Sequence, residues 1–336
     1  MEHLQKTAIA GIGFHVPDRI VKNSDLEQWM DTSDEWIIER SGIKERRWIA
    51  NEGGASSLAI QAAKNAMEDA KVTPDEIDLV ICATITSDYF FPGISAQVQE
   101  ALGLGLVGAF DIKAACSAFV YALSVGDQFI KSGQSKNILV IGAEVQSTAL
   151  DISTRGRNVS VLFGDGAGAA ILKRSLDDSE ILSTHLHSEG RFLKELWLEA
   201  PASKYKSRIT KKMLDEGRQY PIMNGREVFR NAVRRFPQVI HEAMDANHLT
   251  IDDITQIIPH QANLRISQSV AKRMGVSMDK VFSNIHKYGN TTAGTIPIAL
   301  DEAVETNRLQ KGDLLLLAAF GGGFTWGSML IRWGDA

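Results

Sequence analysis

The stretch Thr73-Pro-Asp-Glu-Ile-Asp-Leu-Val-Ile81 recurs later in the chain as Thr250-Ile-Asp-Asp-Ile-Thr-Gln-Ile-Ile258. Each copy leads from a polar turn into an apolar run of strand character. Each follows an amphipathic helical segment, ending Ala66-Met-Glu-Asp-Ala70 in one case and Ala243-Met-Asp-Ala246 in the other. Two further pairs follow in the same order. Ser132-Gly-Gln-Ser-Lys-Asn-Ile-Leu-Val-Ile141 matches Leu309-Gln-Lys-Gly-Asp-Leu-Leu-Leu-Leu317, and Leu162-Phe-Gly-Asp-Gly-Ala-Gly-Ala-Ala-Ile171 matches Ala319-Phe-Gly-Gly-Gly-Phe-Thr-Trp-Gly-Ser328. Matches in constant order, about 150–180 residues apart, indicate an internal duplication. Strands and helices alternate in each half, which predicts mixed α/β sheets covered by helices, with halves at residues 1–172 and 173–336.

Composition bounds the rest. The chain has 336 residues, 44% hydrophobic and 23% charged, enough for a sizeable core without disulfide staples. Its two cysteines, Cys82 and Cys116, give no disulfide framework and point to a reducing compartment. A net charge of −5 without a long basic run offers no global nucleic-acid footprint. The N-terminal residues lack a secretory signal's apolar core, and no apolar run is long enough to span a bilayer. The expectation is a cytoplasmic protein with neither nucleic-acid nor membrane partner.

Asp111-Ile-Lys-Ala-Ala-Cys-Ser-Ala-Phe119 carries one of those cysteines. Apolar residues from Leu106 to Ile112 read as a buried strand, and Phe119 to Ile130 reads as a helix stopped by Gly133. Cys116 then sits at a helix N-terminus, where the dipole favours a thiolate able to attack an acyl group. A small buried residue at a strand–helix junction fits this stretch equally well. The duplication adds a second signal. It aligns the turn of Cys116 with that of Asn290, in Gly289-Asn-Thr-Thr, and the strand Ile77–Ala83 with Gln256–His260. Two halves packed face to face bring Cys116, His260 and Asn290 to one axis. A thiolate there accepts an acyl group. His and Asn side chains donate hydrogen bonds to a second thioester's carbonyl and stabilise the enolate left when its carboxylate departs as CO₂.

Elsewhere the sequence is read as follows. Ser33 caps a short helix that places Trp36 and Arg40 on one face. The segment from Lys173 to about Tyr220 reads as polar and irregular, with Lys204, Lys206, Arg208, Lys211 and Lys212 crowding its second part. A helix from Gly225 to Asn247 is expected to kink or break at Pro237.

Thr32-Ser-Asp-Glu-Trp36, Gly42-Ile-Lys-Glu-Arg46, Ala115-Cys-Ser-Ala-Phe119, Phe163-Gly-Asp-Gly-Ala-Gly168, Asn224-Gly-Arg-Glu-Val-Phe229, His260-Gln-Ala-Asn-Leu-Arg265, Tyr288-Gly-Asn-Thr-Thr292 and Gly321-Gly-Gly-Phe-Thr-Trp-Gly327 together resemble the β-ketoacyl-acyl-carrier-protein synthase III family of the thiolase superfamily, over essentially the whole chain. The resemblance implies a thiolase-like α/β fold, its two duplicated halves packed as a five-layer αβαβα sandwich. It implies acyl transfer from acyl-CoA to Cys116, then decarboxylative condensation with malonyl-acyl carrier protein to initiate fatty acid synthesis. His260 and Asn290 would be the decarboxylation pair, and the amides of Cys116 and Gly322 the oxyanion hole. Coenzyme A would meet Trp36, Arg40, Met223, Gly225, Phe229, Asn263 and Phe320. A further adenine-stacking arginine is Arg157 by counting back from Phe163, or Arg155 by its following glycine; Arg157 is preferred. Phe91 would close the acyl pocket of the partner subunit in a homodimer. Arg230, Arg265, Lys272 and Arg273 would receive the acidic carrier protein. No metal or other cofactor is implied. The charged 199–220 segment flanks the expected tunnel mouth and bears on which primer or carrier is accepted.

Rival readings are weaker. A thiolase needs a second cysteine near the C-terminal glycines, and a hydroxymethylglutaryl-type synthase a glutamate between Thr84 and Phe91; neither is present. A secondary-metabolism acyltransferase with the same triad and a catalytically silent carrier-binding subunit remain as alternatives. The primer's length and branching, and the identity of the carrier, are not legible in the residues.

Overall fold

A computed structural model describes residues 5–50 and 53–334; residues 1–4, which the reading for a secretory signal includes, lie outside the described residues. In chain order the strands are β1 (Thr7–His15), β2 (Ile20–Lys22), β3 (Glu45–Arg47), β4 (Leu79–Ala83), β5 (Gly108–Ile112), β6 (Asn137–Glu144), β7 (Gly166–Arg174), β8 (Glu180–Ser188), β9 (Leu196–Trp197), β10 (Ile222–Met223), β11 (Gln256–Pro259), β12 (Leu314–Gly321) and β13 (Thr325–Arg332). The helices are α1 (Asn23–Leu26), α2 (Asp34–Ser41), α3 (Ala55–Asp69), α4 (Ile94–Ala101), α5 (Ala118–Lys131), α6 (Arg157–Ser160), α7 (Lys211–Asp215), α8 (Gly225–Ala246), α9 (Leu264–Met274), α10 (Ile285–Tyr288) and α11 (Thr295–Glu305).

Two mixed sheets form the frame. One has the order β1-β7-β6-β4-β5, the other β11-β12-β13-β8. Side chains alternate across each strand, so every central strand feeds two cores. In β6, Ile138 and Val140 face α5 and α11 in the middle layer, while Leu139 and Ile141 face the alanine-rich α3 outside. In β12, Leu315 and Leu317 face the middle, while Leu314 and Leu316 face α8 and α9 outside. The layers are therefore helix, sheet, helix, sheet, helix: the expected five-layer thiolase-like sandwich. A fourth cluster, holding Val21, Leu26, Ile37, Ile43, Val161 and Phe163, seats α2 beside the site.

Four expectations are corrected. The apolar run before Cys116 is not a fully buried strand; β5 is the sheet's edge, its residues are mostly half-exposed and Leu106 is exposed. The segment after Lys173 is less irregular than it reads, because β8 pairs with β13 over its length. Its polar Ser183, Thr184, His185 and His187 suit an edge strand, which need not be apolar on both faces. The helix α8 runs through Pro237 without interruption. The proline costs a hydrogen bond and a steric contact of about 3 kcal/mol. Buried Phe236, Val239 and Ile240 around it offset that by packing. Finally, the stretch Asn23-Ser-Asp-Leu-Glu-Gln-Trp-Met30, whose polar start reads as the opening of a helix, is helical only over Asn23–Leu26.

Candidate active site

The cavity of about 330 Å³ that enters between α2 and the start of α8 is lined by Trp36, Arg40, Cys116, Met223, Gly225, Phe229, His260, Asn263, Asn290 and Phe320. All ten are residues that the sequence singles out. They arrive from several elements of both halves because the two sheets converge here. Cys116 lies in a 3-10 turn, Ala115–Ser117, directly before α5. His260 follows the end of β11, and Asn290 precedes the 3-10 turn Thr292–Gly294 that opens α11. Phe320 and Gly321 end β12.

Hydrogen bonds fix what each group presents to the cavity. The Asn290 Oδ1 accepts the Thr292 N–H at 2.8 Å, so its amide NH₂ remains for the cavity. The backbone of Asn290 is pinned to the other half: Gly164 N–H donates to its carbonyl at 3.1 Å, and its N–H donates to Leu162 at 2.8 Å. His260 is 2% exposed, its Nδ1 lies 2.6 Å from Thr295 Oγ1, and its Nε2 has no protein partner. Burial pushes its imidazole down to about 3, so the ring is neutral at physiological pH.

Cys116 departs from the simple dipole expectation. Burial first, then the charge of Glu144, pushes its thiol up to about 12, while the N–H groups of Cys116 and Gly322 act the other way. Those two amides are the pair that sequence reading assigns to an oxyanion hole. The approach needs glycine on the facing strand: a β-carbon on Gly321 would lie 2.8 Å from the Cys116 nitrogen and 2.9 Å from its Cβ. Burial thus outweighs the helix N-terminus and favours the protonated thiol near neutral pH. Cys82 is fully buried in β4, away from the cavity, and burial raises its thiol as well.

At the mouth, Ser33 Oγ accepts the Trp36 N–H at 3.1 Å and caps α2. Two guanidinium groups flank the indole: Arg40 at 4.5 Å and Arg157 at 4.8 Å from its ring. Arg155 turns away, paired with Asp151 at 2.5 Å and lying over Tyr220. Asn263 caps α9 and also donates to the Arg40 carbonyl at 2.7 Å, so it ties α9 to α2 as well as lining the cavity. The 199–220 segment holds its charges largely in pairs: Arg218 with Glu199 and Glu216, Lys211 with Asp215, Lys212 with Glu216. Arg208 lies 4.3 Å over Phe90. Solvent screens exposed pairs of this kind, so they add little to stability.

Phe91 is 77% exposed and does not line its own chain's cavity. Arg230, Arg265, Lys272 and Arg273 lie exposed on α8 and α9, with Arg230 paired to Glu227 at 2.5 Å. Sequence reading missed Thr295, Asn158, Phe236 and Glu144. The last is a fully buried carboxylate at the end of β6, accepting from the Ile85 N–H at 3.1 Å and the Thr86 hydroxyl at 2.5 Å. Burial raises it to about 8. No local motif marks these residues, and the duplication pairs Thr295 with an alanine, Ala118. Among the described residues no cluster of His, Cys, Asp and Glu could hold a metal ion, and no helix is long and apolar enough to cross a membrane.

Comparison with known proteins agrees with this geometry. The family profile 3-oxoacyl-[acyl-carrier-protein (ACP)] synthase III matches residues 110–190, and that of its C-terminal part matches 244–333. The beta-ketoacyl-[acyl-carrier-protein] synthase III of Alkalilimnicola ehrlichii is 48% identical over 97% of this chain and 98% of its own. The crystal structure of 3-oxoacyl-[acyl-carrier-protein] synthase III from Aquifex aeolicus superposes with a TM-score of 0.90 at 45% identity, covering 97% of this chain and all of the other. The priming β-ketosynthase of the R1128 polyketide pathway is 30% identical, with TM-score 0.90, covering 100% of this chain and 99% of its own.

Proposed function

The chain belongs to the β-ketoacyl-acyl-carrier-protein synthase III family, and on that premise we propose how its residues carry out the condensation that initiates fatty acid synthesis. It is an acyltransferase of the condensing type. Acyl-CoA enters past Trp36, Arg40 and Arg157, with its pantetheine arm along Met223, Gly225, Phe229, Asn263 and Phe320. Cys116 attacks the thioester carbonyl through its sulfur, and its thiol proton passes to the departing sulfur of CoA. The amides of Cys116 and Gly322 hold the tetrahedral oxyanion, and CoA leaves as the thiol. Malonyl-carrier protein then delivers its arm through the same cavity. His260 Nε2–H and the Asn290 amide donate to its thioester oxygen, CO₂ departs, and the resulting carbanion attacks the acyl-Cys116 carbonyl. The β-ketoacyl product leaves on the carrier, and the cysteine is released. Two hydrogen-bond donors aimed at a developing enolate supply a few kcal/mol each, on the order of 3–4 by loss of one donor.

One observation supports this most directly. The unpartnered ring nitrogen of His260 shares one cavity with Cys116 and Asn290. Neither a metal nor a prosthetic group enters any step of this reading. We further read residues 1–172 and 173–336 as the two halves of the fold, carrying the nucleophile and the His/Asn pair respectively. Arg230, Arg265, Lys272 and Arg273 form the carrier-protein patch. The unpaired edge of β5 and the exposed Phe90 and Phe91 support a homodimer in which Phe91 closes the partner's acyl pocket, and the two free cysteines support a cytoplasmic location.

The test is intact-protein mass spectrometry with a panel of acyl-CoA thioesters, followed by malonyl-carrier protein. The expected result is an adduct that Cys116→Ala lacks and that disappears as β-ketoacyl-carrier forms. The best-loaded chain names the primer. An adduct cleared only by an alcohol or amine would replace condensation with acyl transfer to another acceptor. No adduct from any thioester would sink the mechanism.

A further inference from the structure

Thr295 is the first residue of α11, 2% exposed, and three residues beyond the Tyr288–Thr292 motif. Its single hydroxyl proton has two possible acceptors. One is His260 Nδ1 at 2.6 Å; the other is the Thr292 carbonyl at 3.0 Å, one turn back. The choice decides the chemistry of the histidine. A neutral imidazole carries one ring proton. If Thr295 donates to Thr292, His260 must place its proton on Nδ1 to meet the Thr295 oxygen, and Nε2 offers the cavity a lone pair. If Thr295 donates to His260 Nδ1, the ring proton sits on Nε2 and faces the cavity as a donor.

The donor role assigned to Nε2 selects the second arrangement, because a neutral ring that donates at Nε2 must accept at Nδ1, and Thr295 is the partner that Nδ1 has. The 2.6 Å separation is also shorter than the about 2.7–3.2 Å usual for an N–H donor to oxygen. The 3.0 Å contact to the Thr292 carbonyl lies within hydroxyl-donor range and is the competing arrangement that the hydroxyl gives up. The ring is held neutral by burial, so no second proton blurs the distinction. The Thr292 N–H is committed to Asn290 Oδ1 at 2.8 Å. The same turn thus orients both members of the pair.

We propose that Thr295 is a positioning residue which, by donating its hydroxyl proton to His260 Nδ1, fixes the Nε2–H tautomer that malonyl decarboxylation needs. The proposal rests on His260 being the hydrogen-bond donor assigned above. It also implies that His260 is not the base that ionises Cys116, because Nε2 holds a proton before either substrate arrives. Acylation and decarboxylation then respond differently to loss of the hydroxyl.

The experiment uses the full-length protein as wild type, Thr295→Val and Thr295→Ser, with thermal melts to confirm folding. Three readouts are taken: the rate of acyl adduct formation at Cys116, the rate of CO₂ release from malonyl-carrier protein, and the ¹⁵N shifts of the His260 ring. In wild type, Nδ1 should show a pyridine-type and Nε2 a pyrrole-type shift. In T295V that signature should be lost and decarboxylation should fall about ten- to a hundredfold, while adduct formation stays within about threefold. T295S should restore both. A wild-type proton on Nδ1, or T295V decarboxylating at the wild-type rate, overturns the proposal. So does an equal loss of both half-reactions in T295V that serine does not rescue, since that marks a packing role. A wild type that forms the adduct yet releases no CO₂ would overturn the His260 assignment together with this proposal; normal wild-type turnover with an indifferent T295V overturns this proposal alone.

Discussion

The turn Ala115–Ser117 enters α5, and the turn Thr292–Gly294 enters α11, both helices lying between the sheets. Each turn begins with a non-glycine residue at positive φ, Ala115 at 46° and Thr292 at 51°. A left-handed residue of this kind costs about 1–3 kcal/mol, most severely for a β-branched side chain. The same unfavourable backbone in both halves says that the duplication preserved the turn's shape while its side chains diverged. Aligned on Ala115 and Thr292, Cys116 corresponds to Ala293 and Ala118 to Thr295. One turn carries the proposed nucleophile and its own amide; the other carries no reactive group, but its Thr292 N–H orients Asn290, and Thr295 directly after it contacts His260. The strands cross over to support them. Gly321 of the second half backs the cysteine turn, and Gly142 of the first half backs the Thr292 turn. Each turn is therefore backed by a strand of the other half.

The sharpest division between the turns is chemical. Cys116→Ala should show no acyl adduct and at least a thousandfold loss of condensation, yet still release CO₂ from malonyl-carrier protein. His260→Ala should do the reverse, loading the acyl group at near wild-type yield and losing decarboxylation by about a hundred- to a thousandfold. Mass spectrometry and CO₂ release measure the two arms. If either variant lost both half-reactions equally, the turns would not be separable.

A second difference is electrostatic. Behind the Thr292 turn lies Glu144, raised by burial from 4.5 to about 8. The native state holds that proton more tightly than the unfolded chain. Its stabilisation is complete below about pH 4.5 and is lost as pH rises through about 8. His260 is lowered by burial from 6.5 to about 3, so its contribution is complete above pH 6.5 and is lost as pH falls through about 3. Each effect is on the order of a few kcal/mol. Denaturant melts across pH should give a dome, with Glu144→Gln flattening part of the alkaline side and His260→Asn the acid side. Asp301, raised to about 7 mainly by burial, keeps some alkaline slope in E144Q. An unchanged alkaline slope in that variant would remove Glu144 from the account.

The duplicated frame was legible because its marks are local. Thr73 and Thr250 each open their turn with a hydroxyl and an N–H donated to a carboxylate three residues on, at 2.9 Å to Glu76 and at 2.8 and 2.7 Å to Asp253. Such boxes sit in the sequence next to the strands that they introduce. The cavity residues were legible through motifs of the family. What stayed hidden depends on contacts between distant segments. Glu144 draws its hydrogen bonds from β4's end, some 60 residues away, and Thr295 meets His260 across 35 residues. Pro237 reads as a helix breaker because its local cost is visible and the packing of Phe236 and Ile240 is not.

The smallest expected effects come from the crossing strands, and they test the comparison most strictly. A methyl group on Gly321 would press on the Cys116 nitrogen and Cβ, at 2.8 and 2.9 Å. On Gly142 it would press on the Ala293 carbonyl. Both contacts are backbone, so neither neighbour can swing aside, and each substitution to alanine should cost about 1–3 kcal/mol of stability. Their kinetic signatures should differ. Gly321→Ala displaces the nucleophile and its amide and should slow adduct formation about tenfold, with malonyl decarboxylation little changed. Gly142→Ala displaces the turn that orients Asn290 and borders His260, and should slow CO₂ release while leaving the adduct to form. Stopped-flow acylation and CO₂ release on the two variants read this directly. If both glycine variants slowed the same half-reaction, support by the opposite half's strand would be wrong. The two turns would then act as one rigid body, with nothing assigned to either.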